Sequence, residues 1–171
     1  MSVVDGYVGM ILNEGLRFDD VDVSVKRAFL RLPDKMLLPQ GVRLYKWTSR
    51  ELSGPFITPW WSFVESTKLP SGGTADGFRV SEERAARIGR THREFVRARA
   101  AISGQFGNTM ANLLVIQLKV PVWGFAGQAS GQREFADDQT EVQHVFLIGG
   151  ASQVWLPKVE PSHVTQLAAI G

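Results

Sequence analysis

From Val42 to Trp47 apolar and polar positions alternate through β-forming residues, bounded by Gly41 on one side and Thr48-Ser49 on the other, and this period of two predicts a core strand. Ser53-Gly54-Pro55 then predicts a turn into a second extended segment, Phe56 to Phe63, whose Pro59 restricts it to a sheet edge or a bulge. Leu69 to Gly77 is rich in Gly and Pro and reads as a flexible loop. Beyond it, Ser81 is a candidate helix cap, and Ala85, Ile88, Phe95 and Ile102 recur at helical spacing, which predicts one long helix from Ser81 through Ser103-Gly104. Apolar runs at Asn112–Val120 and Val122–Phe125 read as strands. Gln143–Ile148 and Gln153–Val159, joined by Gly149-Gly150-Ala151-Ser152, read as a hairpin. Residues 1–40 carry Val21, Val23, Val25, Phe29, Leu30 and Leu32 among charges and are expected to form a helical N-terminal layer.

The order is a helical start, two strands, a long helix and then about four short strands, which argues for an α+β fold with a split antiparallel sheet rather than alternating βαβ units. No Gly-x-Gly-x-x-Gly motif follows a strand and no P-loop is present, so the common nucleotide-binding α/β folds are disfavoured. At 171 residues, 44% apolar and 21% charged, the chain is expected to be a single domain over residues 1–171.

Cys is absent and the three His are scattered, so disulfides, a Cys nucleophile and a metal site are not expected. No secretory signal or membrane-length apolar run is seen, which points to a protein without a membrane partner, either cytoplasmic or exported without a cleaved signal. The net charge of +2 is unevenly spread. Arg79 to Arg99 holds seven arginines against three glutamates, and Glu134 to Glu141 holds four carboxylates and no base. The arginines at 84, 87, 90, 93 and 97 read first as the wet face of a helix, with a salt-sensitive nucleic-acid stripe as the rival.

Candidate chemistry concentrates at Gln139-Thr140-Glu141, where an acidic loop ends in a carboxylate at the mouth of a strand, a suitable place for chemistry on a sugar. Trp123 to Gln132, with three glycines and two glutamines, reads as a mobile lid or a loosely packed crossover.

Over roughly residues 41–160 the motif order resembles the ADP-ribosyltransferase superfamily. The first motif falls at Tyr45-Lys46-Trp47-Thr48, with Lys46 where the family has Arg or His. The second falls at Thr58-Pro59-Trp60-Trp61-Ser62 and the third at Gln139-Thr140-Glu141. The resemblance implies an ADP-ribosyltransferase-like core that uses NAD as substrate, by transfer to a protein or nucleic-acid acceptor or by hydrolysis. It also implies a bacterial effector or toxin with an immunity protein as partner. Under it, Glu141 stabilises the positive charge developing on the ribose, Gln139 orients the acceptor or the attacking water, and Lys46, Trp47 and Ser62 hold the dinucleotide. Trp60 and Trp61, adjacent on a strand, must face opposite sides, so at most one can line a pocket. A catalytically inactive binding or assembly module on the same fold is the competing expectation.

Overall fold

The computed structural model describes residues 9–48, 52, 54–99, 112–135, 141–147 and 150–171, with the backbone alone for 98–99, 132–135 and 141–147. Strands β1 (Asp34–Leu38), β2 (Arg43–Thr48), β3 (Trp60–Phe63), β4 (Thr67–Lys68) and β5 (Thr74–Ala75) alternate with a short helix, α1 (Val23–Ala28), that precedes them and two helices, α2 (Phe78–Arg87) and α3 (His92–Arg99), that follow. Then come β6 (Asn112–Leu118), β7 (Val122–Gln128), β8 (Gln132–Phe135), β9 (Glu141–Leu147), β10 (Ser152–Trp155) and β11 (Val164–Leu167). The result is a mixed α+β domain in which one seven-stranded sheet, ordered β1-β7-β10-β3-β2-β6-β11, is antiparallel at every pairing. β4 with β5 and β8 with β9 form two small separate ladders.

β3 joins the two halves of that sheet. Trp60 and Trp61 pair with Trp155 and Val154 of β10, while Ser62 and Phe63 pair with Tyr45 and Leu44 of β2. One face of all seven strands feeds a single apolar core that includes Leu38, Leu44, Trp61, Phe63, Ile116, Val122, Val154 and Val164. Each fully buried Leu or Ile in it contributes roughly 1.5–3 kcal/mol. The opposite face carries two smaller clusters. One is Val25, Phe29 and Phe125 with Trp60 and Trp155, under α1, and the other is Tyr45, Val64, Phe78 and Val115 with Trp47, under α2.

Several expectations are corrected. The N-terminal layer is not wholly helical: Asp34–Leu38 is a strand, paired along its length with Trp123–Ala126 and Val122 of β7. Pro33 ends the preceding segment, and an edge strand tolerates it. The long helix from Ser81 is two helices that begin earlier, at Phe78. They break at Gly89, whose φ of +69° suits glycine, and the carbonyl of Ala85 accepts from the Arg90 N–H there. Ser81 is therefore an interior helical residue and not a cap; Ile102 to Gly104 lie outside the described residues. The supposed lid at Trp123–Gln132 is largely a central strand, because Gly124 lets β7 approach β10 closely. A Cβ there would lie 2.4 Å from Leu156 Cδ2 and 2.8 Å from the Trp155 carbonyl oxygen. Nor do the segments 143–148 and 153–159 pair as a hairpin: β9 pairs with β8, and β10 with β7 and β3. The loop at 69–77 holds a minimal hairpin, β4 to β5, turned by Gly72 and Gly73 at φ +103° and +76°.

α2 is fixed at its start by close backbone contact. The Gly77 N–H donates to Ser66 Oγ at 2.9 Å and the Phe78 N–H to the Val64 carbonyl at 2.8 Å. A Cβ on Gly77 would meet Ser66 N at 2.5 Å and Val64 O at 2.6 Å, both backbone atoms that no rotamer change can move. Gly77→Ala is expected to destabilise the domain by about 1–3 kcal/mol, whereas Gly15→Ala, in open space, stays within roughly 0.5 kcal/mol of wild type. Urea unfolding of the two variants checks the contrast.

Candidate functional site

Strands of the sheet and two helices meet over a cleft of about 290 Å³ on the outer face of the sheet, at the seam marked by β3. Tyr45 of β2 and Ser62 of β3 form its floor; they are directly paired and, by cross-strand alternation, project to the same side. Thr74 of β5 and Asp76, just after it, border the cleft, with Ser81 and Arg84 from α2 and Phe95 and Val96 from α3. Gln128, at the end of β7, and the segment from Gly150 to Ser152, which opens β10, close the remaining side.

The geometry of α2 and α3 follows from local sequence. Ser81 and Arg84 are three apart and so share one face of α2, aimed at the sheet together with buried Ala85. α3 starts at a capping box: the Glu94 N–H donates to Thr91 Oγ1 at 3.2 Å and the Thr91 N–H donates to Glu94 Oε2 at 3.2 Å. This fixes the angle at which His92, Phe95 and Val96 meet the sheet.

Tyr45 is buried, 2% exposed. Burial, with the Asp76 carboxylate adding to it, pushes its phenol up to about 12, although hydrogen bonds with the Ser81 and Ser62 side chains pull the other way. Tyr45 is therefore a neutral hydroxyl at physiological pH. With Ser62 and Ser81 it makes a polar cluster drawn from β2, β3 and α2, able to donate to and accept from a sugar or phosphate oxygen. Asp76 and Arg84 form an ion pair at the rim, Nε to Oδ2 3.0 Å.

Behind Tyr45 stands an aromatic wall. The Tyr45 ring meets Phe78 edge-on at 5.0 Å, and His92 lies 4.3 Å from Phe78 and 5.7 Å from Tyr45. Trp47 Nε1–H donates to His92 Nδ1 at 3.0 Å, which leaves the imidazole proton on Nε2, a buried atom with no partner among the described residues. Burial pushes His92 down to about 4, so the ring stays neutral.

The candidates from the sequence separate as follows. Ser62 lines the cleft. Trp47 projects to the same face of β2 as Tyr45 but is held by His92 behind the cleft wall instead of lining it. Lys46, between Tyr45 and Trp47, necessarily faces the other side. There its Nζ donates to Thr58 Oγ1 at 2.7 Å and sits 5.1 Å over the Trp61 ring. Lys46 and Ser62 thus do not converge. Of the tryptophan pair, Trp61 is buried in the main core and Trp60 packs against Phe29 and Trp155; neither lines the cleft. Glu141 opens β9, which runs against α3, and its backbone pairs with Phe135; Gln139 lies outside the described residues.

Reading the sequence missed Tyr45, Ser81, Asp76 and Arg84 as cleft residues. Alternation from Ser62 identifies its face, but that Tyr45 shares it follows only from the register of β2 on β3. Gly89 and the Thr91-x-x-Glu94 box were local signals that would have split the helix correctly.

Among the described residues no helix is long and apolar enough to cross a membrane. No family model matches the chain, and no curated protein and no solved structure matches it.

The two shifted groups give opposite pH dependences. As pH rises from 10 toward 12 the unfolded Tyr45 ionises while the folded one keeps its proton, so stability falls across that window by up to about 2–3 kcal/mol; Tyr45→Phe removes this part of the loss. As pH falls from 6.5 toward 4 the unfolded His92 takes up a proton that the folded one refuses, so stability declines there, and His92→Gln flattens that decline. Urea midpoints of wild type and both variants across the two windows measure each effect.

Proposed function

We propose that the cleft holds the nicotinamide–ribose half of NAD and that the chain breaks the bond between ribose C1′ and the nicotinamide nitrogen, passing ADP-ribose to a macromolecular acceptor or to water. The observation that carries this reading is the placement of Ser62. It comes from the second motif and lines, with Tyr45 of the first, a cleft at the seam of an antiparallel α+β sheet. A second support is that the backbone of β9, which opens with Glu141, approaches α3, the helix that supplies Phe95 and Val96 to the same cleft. A volume of about 290 Å³ is at the lower end of small-molecule sites.

In the reaction the C1′–N bond breaks and its electron pair leaves with nicotinamide, so the ribose passes through an oxocarbenium-like state. Glu141 is assigned to balance that charge, and Gln139 to orient the attacking oxygen, which loses its proton as the new C1′–O bond forms. The hydroxyls of Tyr45, Ser62 and Ser81 hold ribose oxygens.

One observation favours a second reading, a non-catalytic binding module of the same architecture. Lys46, the counterpart of the family's phosphate-binding Arg or His, spends its charge on Thr58 and Trp61 on the far face.

Purified protein is expected to release nicotinamide from NAD, alone if it is a hydrolase or on addition of cell lysate if it is a transferase. Glu141→Gln is expected to slow release by at least about a hundredfold, the loss typical of a preorganised electrostatic group. Release that is absent with and without lysate selects the binding module.

A further inference from the structure

We propose that Arg84 is the phosphate receptor of the cleft and that Asp76 is a built-in competitor which reserves it for strongly anionic ligands. This deepens the reading of the cleft as a dinucleotide site and rests on it. Arg84 is the one Lys or Arg among the described residues that line the cleft, and Asp76 the one carboxylate. Lys46, which the motif order nominates for phosphate, is on the opposite face of β2 and bonded there. A phosphate entering the cleft therefore meets Arg84 first.

The ion pair has the form such a receptor needs. The contact is between Arg84 Nε and Asp76 Oδ2, at 3.0 Å, and a guanidinium carries further donors in a planar fork that matches phosphate oxygens. Both side chains are substantially exposed, 57% for Arg84 and 40% for Asp76. An exposed pair of this kind is worth little in water, so a ligand carrying more charge displaces Asp76 at small cost. A neutral or singly charged ligand gains less from Arg84 and still faces the Asp76 carboxylate. Asp76 thus acts as a selectivity filter, raising the charge a ligand must bring. The hydroxyls of Ser81, one helical turn before Arg84, and of Tyr45 and Ser62 on the floor complete a donor set suited to a phosphate joined to a ribose.

The test compares NAD, inorganic pyrophosphate and nicotinamide riboside, which has no phosphate, as titrants of wild type, Arg84→Ala, Arg84→Lys and Asp76→Asn. Arg84→Ala is expected to weaken NAD and pyrophosphate by about ten- to a hundredfold, the value of a charge-assisted forked contact, and to leave the riboside unchanged. In turnover the loss appears in KM, with kcat preserved. Arg84→Lys recovers only part of the affinity, because an ammonium offers a point charge instead of a fork. Asp76→Asn tightens NAD and pyrophosphate and leaves the riboside no tighter, so the gap between them and the riboside widens. Equal affinity of wild type and Arg84→Ala for the anionic titrants overturns the proposal, as does an equal loss for the riboside. Should wild type bind pyrophosphate through Arg84 yet not NAD, the phosphate receptor stands and the dinucleotide reading falls. Should it bind neither, both fall.

Discussion

Four residues of β3 carry two sets of pairings, and the domain's organisation rests on that division. The first two bond to β10 and the last two to β2, so the strand belongs to both halves of the sheet and neither half is complete without it. Pro59 sits just before it, where its missing N–H costs no ladder bond, and its carbonyl still accepts from the Leu156 N–H at 2.8 Å. Trp61 Nε1–H is tied to the Thr58 carbonyl at 2.7 Å, so even this buried indole leaves no donor unpaired. At the switch, Ser62 projects with its partner Tyr45 from the outer face of the sheet into the cleft.

The walls of that space are stiff for reasons of polar satisfaction as much as of packing. A buried phenol without partners would cost several kilocalories per mole, but the Tyr45 hydroxyl has two serine side chains supplied by different elements. Phe78, His92 and Trp47 then close the rear of Tyr45, with the indole–imidazole bond linking β2 to α3. On the other half of the sheet an analogous role falls to Phe18, Phe29, Phe125, Trp60 and Trp155, which tie α1 and a 3-10 turn before it, Phe18–Asp20, to β7, β3 and β10. Gln153, buried among them, satisfies the Ala28 carbonyl at the end of α1 with a 3.0 Å bond.

Local patterning in the sequence was enough to find β2, β3, β6 and the start of β7, whose alternation or apolar runs need no knowledge of neighbours. It failed where a residue's meaning depends on a partner distant in the chain. Gly124 and Gly127 look like a loop until β10 and Pro33 are seen pressing against them. β1, an edge strand after a proline, has an alternation too short to outweigh the helical residues before it. The site divided along the same line. Ser62 was reachable from the motif order, but choosing both Lys46 and Trp47 violated the alternation of a strand. Ser81, Asp76 and Arg84 needed the docking of α2 over β2, which is set by the backbone contact of Gly77 with Ser66 and Val64.

The register of the sheet also determines when it can exist. As the chain emerges from the ribosome, β2 has β3 close by in sequence, but β1 must wait for β7, β2 for β6, and β3 for β10 at Val154. Until then the tryptophans of β3 and the apolar side of β2 have no covering, and one edge of β3 is unpaired. Such a topology closes long loops before its contacts repay them, which is the cost that slows folding of sheets built from distant strands.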